Sequence, residues 1–172
     1  MILNPLLYLT YGSNLHPNRL IERVGPVECA GKVCLPGWKL MFDKRGSDGS
    51  AKANLRAAPG SDADAWAALY ELDQKQYSIL DRFEGAGRGY DSFWMDVIVD
   101  GEERSAVTYL TPSHWRAETA RPWTWYRDLV VAGARFHGFP ESYVQVIEQV
   151  KASPDPDAER AARHDRILQN LG

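Results

Sequence analysis

Short apolar runs with the two-residue rhythm of β-strands fill the first two thirds of this chain, and helical patterns gather mainly in its last third. Strand candidates run from Leu6 to Tyr11, Val27 to Leu35, Trp38 to Asp43, Ala53 to Ala57, Ala65 to Leu72, Tyr90 to Val99 and Arg104 to Leu110. Turn formers punctuate them: Pro36-Gly37, the polar loop KRGSDGSAK (44–52), PGSDAD (59–64) and DGEE (100–103). The last of these reads as the turn of a hairpin, and PGSDAD joins what looks like another strand pair. Strands first and helices last spell an α+β fold, because each strand needs a paired neighbour and the sheet then needs a helical cover. Six or so strands are enough to curl into a small mixed β-barrel flanked by helices.

The helices announce their ends. Asn14 is placed to cap a short helix that carries Pro17 in its first turn and stops near Gly25-Pro26. Asp73, with Gln76 three residues on, has the pattern of a capping box, and that helix ends at Glu84-Gly85. Tyr77, Leu80 and Phe83 recur on it at helical spacing and are expected to face the core. Pro122 opens a helix to about His137, and Pro140 opens another to about Lys151. SPDPD (153–157) breaks the chain before a charged last helix. No internal repeat or linker divides the sequence, so 1–172 reads as one domain, with 151–172 as a helical tail of unassigned role.

Composition narrows the function. The chain has 172 residues and a net charge of −3, with no run of Lys or Arg, which argues against a nucleic-acid partner. Cys29 and Cys34 form no disulfide framework, and this points to a reduced, cytoplasmic setting. His16, His114, His137 and His164 lack metal-ligand spacing, so no metal is expected. The start MILNPLLYL has no basic segment or small-residue cleavage site and reads as a first strand, and no stretch is long and apolar enough to span a membrane.

Three groups of residues carry chemical potential. In Tyr8-Leu9-Thr10-Tyr11-Gly12-Ser13-Asn14 a strand stops at a tight polar turn before a helix start. Gly12 lets a ligand approach the backbone, and the free N–H groups of such a turn suit a carboxylate or phosphate. Locally, an ordinary strand-to-helix turn with an Asn cap explains the pattern more simply. Ser13 lacks the elbow motif of a nucleophile. Glu84 sits at a helix C-terminus beside Gly85, where the dipole disfavours an anion. If desolvated, its pKa rises into the range of a general base, although a terminal Glu is most often just exposed. Asp81 reads as a solvated neighbour. GAGRG (85–89) follows a helix instead of a strand, so it is no dinucleotide loop. Trp94, Trp115, Trp123, Trp125, Tyr126 and Tyr8 form the third group: core filling is the default, and a Tyr hydroxyl beside a cleft would orient a polar substrate.

In this order the motifs resemble the γ-glutamylcyclotransferase family. Tyr11-Gly12-Ser13-Asn14-Leu15 matches its YGSNL turn, and Leu80 to Gly85 is similar to its LDxxEG segment. Tyr126, the apolar run to Gly133-Ala134 and GFPESY (138–143) resemble its closing helices. Phe42-Asp43-Lys44 and DGSAKANL (48–55) are similar to bacterial members, and the resemblance covers roughly residues 6 to 150. It implies a small β-barrel with flanking helices and no cofactor. It implies Glu84 as catalytic acid/base, with Tyr8, Leu9, Thr10, Tyr11, Gly12, Ser13, Asn14 and Tyr126 around a γ-glutamyl substrate. The implied reaction is internal: the α-amine attacks the γ-carbonyl, giving 5-oxoproline and a free amino acid or amine. Asn14, where other branches resemble YGSL or YGTL, points to γ-glutamyl amino acids. A binding protein without turnover and an amide hydrolase using Glu84 are the competing readings, and a monomer or homodimer is expected.

Overall fold

The computed structural model describes residues 5–85 and 87–170. Positions 1–4 of the N-terminal run, Ala86 of the 85–89 loop and residues 171–172 of the tail lie outside them. The strands are β1 (Leu6–Thr10), β2 (Glu28–Pro36), β3 (Trp38–Arg45), β4 (Ala51–Ala57), β5 (Asp64–Leu72), β6 (Asp91–Val99) and β7 (Glu102–Leu110). The helices are α1 (Pro17–Val24), α2 (Gln74–Glu84), α3 (Thr124–Phe136), α4 (Glu141–Glu148) and α5 (Ala158–Gln169), with 3-10 turns at Ser13–Leu15 and Ser113–Trp115.

Five strands form one curled sheet in the order β2-β5-β1-β7-β6, and β3 pairs with β4 as a separate ribbon. The α+β expectation is met, as a curled half-barrel with helices on its flanks. β1 is the central strand. It runs antiparallel to β5, with Leu6 opposite Leu72 and Thr10 opposite Ala68, and parallel to β7, with Tyr8 opposite Val107. Leu7, Leu9, Leu69, Leu72, Ala106 and Val107 are buried along this seam. Removing such apolar surface from water stabilises the fold by roughly 25 cal/mol per Å².

The supposed pairing of Ala53–Ala57 with Ala65–Leu72 is corrected. β4 pairs with β3, whereas β5 lies between β2 and β1. The reason is burial: Ala65, Ala67, Ala68, Leu69 and Tyr70 are all buried, so β5 needs ladder partners on both edges. The β6–β7 hairpin is tighter than expected, because the turn is Asp100-Gly101 alone and Glu102 already pairs with Val99. Both turn residues have positive φ, 52° and 84°, as a two-residue hairpin of primed type requires.

Asp73 and Gln76 do form a reciprocal capping box. The expected apolar stripe on α2 is only partly buried: Leu80 is in the core, but Phe83 is 56% exposed and lies beneath the Arg23 guanidinium. The Asn14 cap is corrected too. α1 begins after His16 with no side-chain cap, and Asn14 sits inside the 3-10 turn with its amide turned elsewhere. Trp94 is 48% exposed on β6 and does not fill the core. No helix among the described residues is long and apolar enough to cross a membrane.

Candidate functional site

Where β1 ends, the chain turns through Gly12 into the buried residues Ser13, Asn14 and Leu15. The turn closes on itself through Leu15 N–H to the Gly12 carbonyl (3.0 Å) and His16 N–H to the Ser13 carbonyl (3.2 Å). This leaves the leading amides of the turn outside that bonding, as a helix start must. Two close approaches fix it in place. A Cβ on Gly12 would lie 3.1 Å from the Ala53 Cβ and 3.3 Å from the Tyr126 hydroxyl. A Cβ on Gly133 of α3 would lie 2.5 Å from the His16 nitrogen and the Leu15 carbonyl carbon. Glycine at these positions lets α3 and β4 press against the turn.

Asn14 ties that turn to the end of α2. Its amide nitrogen donates to Glu84 Oε1 at 2.8 Å and to the Tyr8 hydroxyl at 3.0 Å. Its amide oxygen accepts from Arg23 Nη1 at 3.0 Å, and the same guanidinium nitrogen lies 3.3 Å from Glu84 Oε1. The pattern sets the amide orientation, because a guanidinium can only donate and a carboxylate only accept. The α2 terminus itself is held by Gly85 in the left-handed conformation (φ 64°), whose N–H bonds back to Arg82.

A cleft of about 680 Å³ opens beside this network. Of the residues expected at a site, Tyr8, Thr10, Tyr11, Gly12, Ser13, Asn14, Glu84 and Tyr126 line it. Leu9 does not: its side chain is fully buried in the core and its carbonyl accepts from the Thr108 hydroxyl at 2.9 Å. That follows from strand alternation, which turns Leu9 away when Tyr8 and Thr10 face the cleft. Tyr126 accepts from the Ala53 amide at 3.0 Å, and Tyr90 donates to the Ala53 carbonyl at 2.5 Å. Burial, and after it the Glu84 charge, pushes the Tyr8 and Tyr11 phenols upward, so both remain neutral donors. Asp81 is no idle neighbour, since the Tyr109 hydroxyl donates to it at 2.6 Å.

The rest of the lining joins Trp125 and Lys52, from segments singled out above, to side chains of α1 and α5 for which the sequence carried no site expectation. Arg19 of α1, only 8% exposed, donates from Nε to Ser13 Oγ at 3.0 Å and from Nη1 to His164 Nδ1 at 3.1 Å. His164 belongs to α5 and stacks on Trp125 at 3.8 Å between ring centroids. Asp155 anchors α5: it accepts from the Trp125 indole at 2.7 Å and from two nitrogens of Arg160. Lys52 lies over the rings of Trp125 and Tyr126. No local pattern advertises these groups, because their juxtaposition exists only once α5 docks on α3.

Two imidazoles set a pH response. Burial, reinforced by Arg19, pushes His16 down to about 4. Burial, then Arg19, Arg163, Lys52 and Arg23, pushes His164 down to about 3. Both stay neutral in the folded chain while the unfolded chain binds their protons near pH 6.5, so stability rises with pH across that window. Lowering the pH from 7 to 5 is expected to cost about 2 kcal/mol for each imidazole. Urea melts at the two pH values check this, and a smaller loss in His164→Gln assigns its share.

Among the described residues no group of three His, Cys, Asp or Glu side chains is placed to hold a metal ion. Cys29 and Cys34 are free thiols.

The curled half-barrel, with β1 delivering the Gly12–Asn14 turn to Glu84 at the end of α2, has a γ-glutamylcyclotransferase-like fold. Comparison with known proteins agrees. The AIG2-like family model matches residues 64–147, from β5 through α4. The chain is 26% identical over 152 residues to the mouse protein named gamma-glutamylcyclotransferase, covering 84% of this chain and 78% of that one. The human protein of the same name is 24% identical over 157 residues, with the same coverage. A solved structure titled gamma-glutamyl cyclotransferase superposes with a TM-score of 0.82 at 22% identity, covering 96% of this chain and 99% of the other. At that identity the last match speaks for the fold alone.

Proposed function

We propose that this protein cyclises a γ-glutamyl amino acid or amine, releasing 5-oxoproline and the free amino acid or amine. The observation that carries the reading is the 2.8 Å bond from Asn14 of the turn to the Glu84 carboxylate at the edge of the cleft. It joins the two motifs that a γ-glutamyl reaction needs side by side, and the names of the mouse and human relatives point the same way.

In this reading the amides of the Gly12–Asn14 turn hold the substrate's α-carboxylate, with Tyr8 and Tyr126 orienting the rest. The α-ammonium gives a proton to Glu84. The freed amine attacks the γ-carbonyl carbon, forming the ring C–N bond. The original amide C–N bond then breaks as the departing nitrogen takes the proton from Glu84, and the remaining extra proton of the ring nitrogen passes to the released amine, which leaves as an ammonium. No water is consumed and no covalent enzyme intermediate forms. Holding amine and carbonyl together in one molecule can supply about 7–11 kcal/mol of the barrier.

The test is product identity. Purified protein is incubated with γ-glutamyl-alanine, other γ-glutamyl dipeptides, a γ-glutamyl amine and glutathione, and 5-oxoproline and glutamate are quantified. Release of 5-oxoproline supports the cyclase. Free glutamate in its place identifies a hydrolase using Glu84 to activate water, and binding with neither product identifies a pocket without turnover.

A further inference from the structure

The cleft carries a charge pattern opposite to that of the chain. The protein has a net charge of −3. Six cationic side chains nonetheless line the cleft, Arg19, Arg23, Lys44, Lys52, Arg160 and Arg163, against the three carboxylates Glu22, Asp48 and Glu84. Some of these cations are already paired: Arg23 with Glu84, Lys52 with Asp48 at 2.7 Å, and Arg160 with Asp155. Among the described residues Arg19, Lys44 and Arg163 have no ion-pair partner.

Arg19 is the informative one. A guanidinium this deeply buried is costly unless a negative charge compensates it, and here its partners are a hydroxyl and an imidazole, both neutral. Burial, then Arg23, pushes it down to about 9. Glu84 and Glu22 offset this only in part, and Lys52 is also pushed down, by burial first and, against its bond to Asp48, by Arg19 and Lys44. His164 is held neutral among the same charges.

We propose that Arg19, Lys44 and Lys52, closed from outside by Arg163 of α5, form a second anion subsite that takes the leaving portion of the substrate, and that the preferred leaving group is therefore an acidic amino acid. The proposal rests on the γ-glutamyl reading above and specifies its substrate class. The α-carboxylate of the γ-glutamyl group is assigned to the turn, where Arg19 already reaches Ser13 Oγ, so it leaves Lys44 and Arg163 without a partner. One carboxylate on a neutral leaving amino acid answers one of these two cations, whereas a leaving aspartate or glutamate brings two. The proposal also gives the C-terminal tail a role. α5 lies beyond the segment matched by the AIG2-like family model, so its contribution to specificity is a feature of this chain outside that match.

The experiment compares γ-glutamyl-glutamate with γ-glutamyl-glutamine, which are nearly isosteric and differ in one charge. The readouts are kcat/KM for 5-oxoproline release and, by calorimetry on the Glu84→Gln protein, binding. The acidic compound is expected to be favoured about tenfold or more, the size of a charge-assisted hydrogen bond. Arg163 is exposed on α5, so Arg163→Gln should fold normally and reduce that preference at least about fivefold, as should raised salt. Equal use of the two compounds, or an unchanged ratio in Arg163→Gln, overturns the subsite while leaving the cyclisation reading intact. Should neither compound yield product, the binding ratio decides the subsite by the same criteria. If neither compound is bound or turned over, the γ-glutamyl reading fails and the proposal falls with it.

Discussion

Glu84→Gln is expected to release 5-oxoproline about 10²–10⁴-fold more slowly than the native chain, the usual contribution of a positioned acid–base group. The fold should survive the change. Glu84 Oε1 accepts from Asn14 Nδ2 and Arg23 Nη1, and an amide oxygen in the same place can accept both bonds. What the amide cannot do is take a proton from an ammonium. The Arg23 guanidinium loses its ion pair but keeps its bond to Asn14 and its place over the Phe83 ring. The pair is partly solvated, with side chains 19% and 13% exposed, so the stability cost is expected to stay near 1 kcal/mol. Calorimetry for melting and a product assay for rate separate the two effects. If Glu84→Gln retained full turnover, the acid–base assignment would fail.

The second large effect is expected at a residue that touches no substrate. Gly133→Ala should destabilise the protein by about 2 kcal/mol or more. An alanine inside a helix ordinarily gains about 0.8–1 kcal/mol over glycine, so intrinsic propensity predicts stabilisation. The contact decides the sign. The new methyl would sit 2.5 Å from the His16 nitrogen, the Leu15 carbonyl carbon and the Leu15 Cβ. Two of these atoms are backbone, in a turn that is buried and hydrogen-bonded, so no side chain can swing aside. Overpacking of this kind costs about 1–3 kcal/mol and occasionally more. Either α3 backs away or the turn shifts, and a shift of the turn moves Asn14 relative to Glu84. Turnover is thus expected to fall together with stability, which urea melts and the product assay read on the same variant.

Much of the site was legible because its parts are local signals. A strand ending in Gly-Ser-Asn, a capping box at Asp73 and a glycine stop after Glu84 are each written within a few residues, and local backbone chemistry enforces them. Strand positions followed from alternation and turn residues for the same reason, and so did the α+β class. Boundaries and roles slipped where tertiary packing overrode local preference. Asn14 looked like a cap because Asn before a helix usually is one, yet its amide bonds to groups that arrive from α2 and α1. Phe83 kept helical spacing but is largely exposed under Arg23, whereas Leu80 is buried in the core and Ile79 packs against it.

What the sequence alone determined, then, is the set of elements and the two motifs that meet in the cleft. Only the tertiary structure decided how β5 is shared between β1 and β2, why Gly133 must lack a side chain, and where α5 docks. The division has one physical cause. Turns, caps and alternation arise from interactions a few residues apart, which leave a local pattern. The cationic wall joins Arg19 to His164 across 145 positions, and an electrostatic contact at that separation leaves no periodicity in the chain that encodes it.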